Sequence, residues 1–277
     1  MMRFTIGIVT ILVTLLVPWR PQASVSDLDL SIKRGQLKVE VDVVDEDENP
    51  VFSPEGEALV QRMAVGFLKK TRQESKRWWG CGVETPEDDQ LARAETISRQ
   101  VLSSLRDNDL RWLSHWAVLG TIWSESRGDP CAIGPNSRAA ARDMGLIPED
   151  RMFNRWSAED VKSVLEHPKW KKSRAKIGAD LGLGQMVWQR YARILDKDGD
   201  KLCGKGYPCR VPTLDEILSY DDGAKVVITG MVSRRHMYRS TMPWEHWPGS
   251  VRSLSYGMKI ARIAQDMGGS IRERPVW

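Results

Sequence analysis

Apolar residues recur at three- and four-residue steps from position 59 onward. Leu59, Val60, Met63, Ala64, Phe67 and Leu68 share one face of a helix predicted to start at Ser53 or Pro54, where a hydroxyl cap and a proline suit the first turn. A second helix is predicted over about 86–105. The third, "NDLRWLSHWAVLGTIWSES", has Asn108 or Asp109 as its expected cap, and its interior leaves little room for a polar face, so it should be the buried central helix. Turn-rich sequence follows, then helical pieces at about 158–166 and 186–195, a loop over 196–212, and helices at about 213–219, 221–239 and 250–267. No repeat of solenoid length is present. The pattern predicts a mostly α protein with one domain.

The amino terminus reads differently. "MMRFTIGIVTILVTLLVPWRPQASVS" places a cationic Arg3 before an apolar run, then a small-residue zone ending near Ala23-Ser24, the three-part pattern of a secretory signal. The run falls short of the roughly 20 residues that span a bilayer, which favours cleavage, while Pro21 near the cleavage zone leaves a retained signal anchor open. Residues 25–53 combine an alternating "LKVEVDVV" with an acidic cluster and Pro50, with Pro54 just beyond, read as a linker with one marginal strand. The expected organisation is residues 1–24 as signal peptide or anchor, 25–53 as acidic linker and 54–277 as the functional domain, in an exported protein of the periplasm or cell envelope.

With 277 residues, 41% of them hydrophobic, the chain can bury one sizeable core. Charge is unevenly divided: residues 25–57 hold ten acids against three bases, while the whole chain is +4, so the main body is strongly basic. Such a body is drawn to anionic partners. An exported protein meets anionic envelope polymers, and no nucleic-acid motif is visible. Four cysteines allow three pairings; Cys203 and Cys209 bracket the short "CGKGYPC", which would leave Cys81 with Cys131. No Cys-x-x-Cys occurs and the four histidines are scattered, which argues against zinc. Asp196, Asp198 and Asp200 alternate as in half a calcium loop, but Lys201 and Tyr207 stand where glycine and glutamate belong. No metal or cofactor is expected. Trp112, Trp116 and Trp123 read as core, and "SRRHMYR" at 233–239 as a solvated basic helix end.

The candidate chemistry lies at the end of the central helix. Val118, Ile122 and Glu125 fall on one line, so the glutamate continues an apolar stripe. A carboxyl half desolvated in this way has a raised pKa and can hold a proton near neutral pH, as a general acid must. The alternative is a last-turn glutamate pointing to water.

"ESRGDPCAIG" followed by "GLGQ" resembles the Glu-Ser and Gly-Leu-x-Gln motifs of the lysozyme-like lytic transglycosylases, of the form E-S-x-x-x-P-x-A-x-G and then G-L-M-Q. Glu125, Ser126, Pro130, Ala132 and Gly134 fall on the first, and Gly182, Leu183 and Gln185 on the second. The resemblance covers roughly residues 108–265 and implies a lysozyme-like fold of the goose-type lysozyme and transglycosylase kind. It implies that Glu125 protonates the oxygen of a β-1,4 bond between N-acetylmuramic acid and N-acetylglucosamine in peptidoglycan, then deprotonates the sugar's 6-hydroxyl to give a 1,6-anhydro product. Ser126 would orient the site, and Gly182, Leu183 and Gln185 would line the groove. The family's Ala-Tyr-Asn triplet is absent; Tyr256 resembles part of its last helix and could bond to Glu125 or pack in the core.

Two segments contain Asp-x-Gly-Leu. "DMGLIP" at 143–148 has the better spacing from Glu125, whereas "DLGLGQMVW" at 180–188 has the better residues, including the glutamine, and is preferred. Residues 139–177 then become an insertion whose Trp156 and Trp170 would extend the saccharide surface. Asp180 is similar to the second carboxylate of animal-type lysozymes. At about 5 Å from Glu125 it would permit a retaining hydrolysis, and at roughly 6.5–9.5 Å an inverting one; otherwise it is a polar turn residue. The readings carried forward are a transglycosylase, a muramidase using Asp180, and a non-catalytic glycan-binding envelope module. The expected partners are peptidoglycan glycan strands and envelope machinery.

Overall fold

The computed structural model describes residues 28–33, 36–41, 52–75, 77–147, 155–174, 179–187, 210–248 and 252–277. The signal at 1–24, the Asp196–Asp200 loop and the pair Cys203 and Cys209 lie outside them. The chain divides into two units, Met1–Pro50 and Val51–Trp277. In the first, strands β1 (Leu28–Lys33) and β2 (Gln36–Val41) pair antiparallel, Leu28 opposite Val41 and Lys33 opposite Gln36. The linker expected at 25–53 therefore contains a hairpin rather than one marginal strand. Leu28, Leu30 and Ile32 supply the second alternating run.

The second unit is mostly helical. Helix α1 (Pro54–Glu74) starts as expected: Ser53 accepts the Gly56 amide at 3.1 Å and Pro54 fills a first-turn position. A short hairpin follows, β3 (Trp78–Gly80) with β4 (Val83–Thr85), and then α2 (Gln90–Asp107). The central helix α3 spans His115–Ser126, later than the sequence suggests. Asn108 does not cap it because its side-chain amide donates to the Ser104 carbonyl at 2.9 Å, closing α2. Asp109 has φ 47° in the turn, and Ser114 is the cap instead.

Helix α4 (Pro135–Asp143) occupies sequence read as turns, and α5 (Ala158–Glu166) is followed by α6 (Pro168–Arg174). Of the helix expected over 186–195, only Met186 and Val187 fall among the described residues, and they are extended. Strands β5 (Asp180–Leu181) and β6 (Met186–Val187) form a small hairpin, because Gly182 and Gln185 in its turn have φ of 75° and 49°, incompatible with a helix start. Then come α7 (Leu214–Ile217), α8 (Tyr220–Tyr238), a 3₁₀ turn over Pro243–His246, and α9 (Leu254–Asp266).

Helices α1, α2, α8 and α9 all pack against α3. Trp116, Leu119 and Ile122 on it are fully buried, each contributing roughly 1.5–3 kcal/mol or more of transfer free energy. Trp156 and Trp170 are core residues too, at 0% and 2% exposure, which removes them from any saccharide surface. No helix of the described residues is long and apolar enough to cross a membrane.

Candidate active site

Because α3 is buried along its length, its last turn delivers Glu125 to the protein's interior edge. Val118 and Ile122 beneath it are fully buried, and the glutamate is half-buried. Loss of hydration is the largest influence on its carboxyl and raises the pKa above the usual carboxylate range. A hydrogen bond from the Tyr256 hydroxyl to Oε1 opposes this, as do the charges of Lys259 and Arg234, while Asp180 adds to it. Burial, and then the carboxylate beside it, push the Tyr256 phenol up, so it stays a donor.

The chain must turn sharply after α3. Arg127 ends the helix in the left-handed region at φ 54°, its amide still bonded to Trp123 O at 3.0 Å. The buried Ser126 hydroxyl accepts the Gly128 amide at 3.1 Å and donates to Leu183 O at 2.9 Å, tying the end of α3 to the β5–β6 turn. Below it, Asp129 Oδ1 accepts the amides of Cys81 and Cys131 at 2.9 and 3.0 Å. Burial pushes the Asp129 pKa up to about 6, against those two amides and Arg93. A disulfide joins Cys81 to Cys131, which ties the β3–β4 hairpin to this loop. Arg93, which the sequence did not mark, donates to Gly128 O at 2.6 Å and Trp79 O at 3.0 Å while lying 4.1 Å from the Trp78 ring.

The loop then pairs with the β5–β6 hairpin. Gly134 donates to Asp180 O at 2.9 Å, Gly182 to Ala132 O at 3.1 Å, and Ile133 bridges Leu181. The Gln185 side-chain nitrogen donates to Ala132 O at 2.8 Å and Gly182 O at 3.0 Å. Its Oε1 and the Asp180 side chain crowd over Gly134: a Cβ added there would lie 2.6 Å from Asp180 Cβ and 2.9 Å from Gln185 Oε1. Asp180 is also fastened from behind, its amide donating to Ser137 Oγ at 3.0 Å.

The upstream copy has a different role. Asp143 is the last residue of α4, and Gly145 at φ 68° donates to Arg142 O at 2.8 Å while Leu146 donates to Ala141 O at 2.9 Å. This is a Schellman helix stop, which calls for a glycine followed by an apolar residue. Similar local sequence therefore serves a groove wall in one place and a helix end in the other.

Glu125, Asp180, Gln185 and Tyr256 meet in one cleft of about 530 Å³. Ser126, Gly182 and Leu183, expected to touch substrate, are buried behind its wall; Gly182 lies against Ile217 and Leu183 is 1% exposed. Helices α8 and α9 contribute lining groups the sequence did not mark, Arg234, Tyr238 and Lys259, and Trp247 joins them from the turn before α9. Arg234, read as part of a solvated helix end, instead donates to Gly230 O and His246 O at 3.1 and 3.2 Å and lies 4.3 Å from the Trp247 ring. Trp247 Nε1 donates to Gly184 O at 2.9 Å, joining this side to the hairpin.

Elsewhere, a depression of about 170 Å³ beside α2 and α8 is lined by charges paired with each other, Arg210 with Glu216 and Lys225 with Asp222. Among the described residues, Cys81, Asp129 and Cys131 have the composition of a metal site, but their two sulfurs are bonded to each other. Compared with protein-family models, with curated proteins and with solved structures, the chain matches none of them.

Proposed function

We propose that the protein is a lysozyme-like enzyme that cleaves β-1,4 bonds between N-acetylmuramic acid and N-acetylglucosamine in peptidoglycan, with Glu125 as acid and then base. The observation that carries this is a half-desolvated Glu125 carboxyl, bonded to Tyr256, in a cleft large enough for sugar rings. A protonated Glu125 gives its proton to the glycosidic oxygen as the C1–O bond breaks, and positive charge develops at C1 and the ring oxygen. The resulting carboxylate takes the proton of the C6 hydroxyl as that oxygen bonds to C1. The products are a 1,6-anhydromuramyl end and a free 4-hydroxyl, with no water consumed and Glu125 reprotonated.

A second reading, hydrolysis, is favoured by one observation: Asp180 lies in the same cleft and its charge acts on Glu125. As a nucleophile or a base for water it would give reducing ends. An exported setting suits either, since a disulfide between Cys81 and Cys131 belongs to oxidising compartments.

Digestion of purified sacculi by wild type and Glu125→Gln, with products weighed by mass spectrometry, tests the assignment. Anhydro-muropeptides are expected from wild type, and a rate lower by roughly 10²–10⁴-fold from the variant. Reducing ends would favour hydrolysis. Sacculus binding without release by the wild type would leave a non-catalytic glycan-binding module, and release unaffected by the substitution would remove Glu125 from the chemistry.

A further inference from the structure

One cation on the cleft is unspent. Lys259 lines the cleft from the exposed side of α9, its ammonium 5.7 Å from the centre of the Tyr256 ring, and among the described residues it makes no ion pair. The acids around its helix are committed elsewhere. Glu245, buried against Gly257, is paired with Arg252, and Asp266 at the far end of the helix pairs with Lys70 at 3.0 Å. Arg234 sits in the same cleft, and the charges of both act at Glu125. An ammonium that forms no ion pair among the described residues, in a cleft it shares with a second cation, is a preformed attraction for an anionic group of the ligand.

The two sugars of a peptidoglycan strand differ in the respect this charge can read. N-acetylglucosamine is neutral; N-acetylmuramic acid bears at O3 a lactyl ether that ends in a free carboxylate or continues into a peptide carrying carboxylates of its own. We propose that Lys259 is a specificity-determining residue that pairs with the carboxylate appended at O3 of N-acetylmuramic acid, so that the cleft prefers muramyl strands to neutral chitin-type strands of equal length. The proposal rests on the reading of the cleft as a glycan site. A rim contact of this kind is partly exposed to water, so its effect is a few-fold rather than a thousandfold.

Calorimetric binding in a Glu125→Gln background, where cleavage is suppressed, separates this proposal from the catalytic one. The ligands are peptide-free muramyl oligomers, stem-bearing muramyl oligomers and chitin oligomers of the same length. The expected result is that the muramyl forms bind about three- to fivefold more tightly than chitin, and that about 1 M salt, with a screening length of about 3 Å, shrinks the gap. Adding Lys259→Met should abolish the preference by weakening muramyl binding more than chitin binding, whereas Lys259→Arg should keep it. A preference shared by both muramyl forms assigns the lactyl or first peptide carboxylate, and one confined to the stem-bearing form assigns a carboxylate further along the peptide. The proposal is overturned if no oligomer binds, if no preference exists, if Lys259→Met leaves it intact, or if that variant weakens chitin equally. A Lys259-dependent preference in a protein whose wild type releases nothing from sacculi would sustain the inference while removing the enzyme assignment. Cleavage without any preference would do the reverse.

Discussion

The phenol of Tyr256 donates a hydrogen bond to Oε1 of Glu125 across 131 residues of sequence, from α9 to the end of α3. This contact joins two opposing influences on one proton. Burial favours the neutral form of the carboxyl, and the phenol favours its ionised form.

Removing the phenol hydroxyl should therefore raise the Glu125 pKa further. In Tyr256→Phe the alkaline limb of the cleavage rate, where the acid loses its proton, is expected to move to higher pH. The rate at its optimum should fall about tenfold, the scale of a lost hydrogen bond to a charged group. A pH–rate profile on sacculi checks this; a limb moving to lower pH would contradict the assigned role.

Asp129 gives a stability prediction that does not depend on the function. Its folded pKa of about 6 lies above its ordinary value of 3.8, so the folded state binds the proton more tightly than the unfolded chain. Its contribution is most favourable below about pH 4 and is lost as pH rises through about 6, on the order of 3 kcal/mol in all. Asn can keep the acceptor used by the Cys81 and Cys131 amides without ionising. The melting temperature of wild type should thus fall relative to Asp129→Asn between pH 4 and 7, with Glu125 cancelling because both proteins carry it. Parallel melting curves across that range would rule the account out.

Gly134 is held to its size by the cleft wall. A methyl group there meets Asp180 Cβ at 2.6 Å and its Oδ2 at 3.0 Å, and Gln185 Oε1 at 2.9 Å, and the backbone bonds from Gly134 to Asp180 and from Gly182 to Ala132 limit how far the hairpin can retreat. Gly134→Ala should cost roughly 1–3 kcal/mol and shift both cleft side chains. Urea denaturation measures the first effect and glycan affinity the second. A variant unchanged in both would mean the wall is looser than its contacts indicate.

Legibility in the sequence followed the range of the forces involved. The Val118, Ile122 and Glu125 stripe is a local consequence of helix period and the Ser53-Pro54 start one of local capping chemistry, and both were readable. The helix at Pro135–Asp143 had a local signal as well, a proline at its first turn, but the neighbouring Asn and Ser read as turn residues. Trp156 and Trp170 show why aromatic residues mislead: a ring suited to a sugar face is equally suited to a core, and only packing decides. Arg234 and Lys259 reach the cleft because α8 and α9 both pack on α3, which no window of sequence contains. The two Asp-x-Gly-Leu segments are the sharpest case, since their divergence comes from what each meets: Ala132 and Ser126 in one, the carboxyl end of α4 in the other.

Asp180→Asn should act on Glu125 in the direction opposite to Tyr256→Phe. The Asp180 charge raises the Glu125 pKa, so its loss lowers it, and the alkaline limb should move to lower pH. The same variant separates the two chemistries. If Glu125 works alone, the C6 hydroxyl remains the nucleophile, anhydro products persist, and the rate changes only through that pH limb and through Asp180's contacts with the sugar. If Asp180 attacks C1 or activates water, its amide can do neither, and reducing-end products should vanish with a loss of roughly 10²-fold or more. The hydrogen bond from the Asp180 amide to Ser137 and the one from Gly134 to the Asp180 carbonyl are both backbone contacts that asparagine retains. A lost activity in a variant that melts like wild type therefore reports on the carboxylate itself. Anhydro products at an unshifted limb would instead mean that Asp180 is too well solvated to influence Glu125, leaving burial and Tyr256 to set its proton.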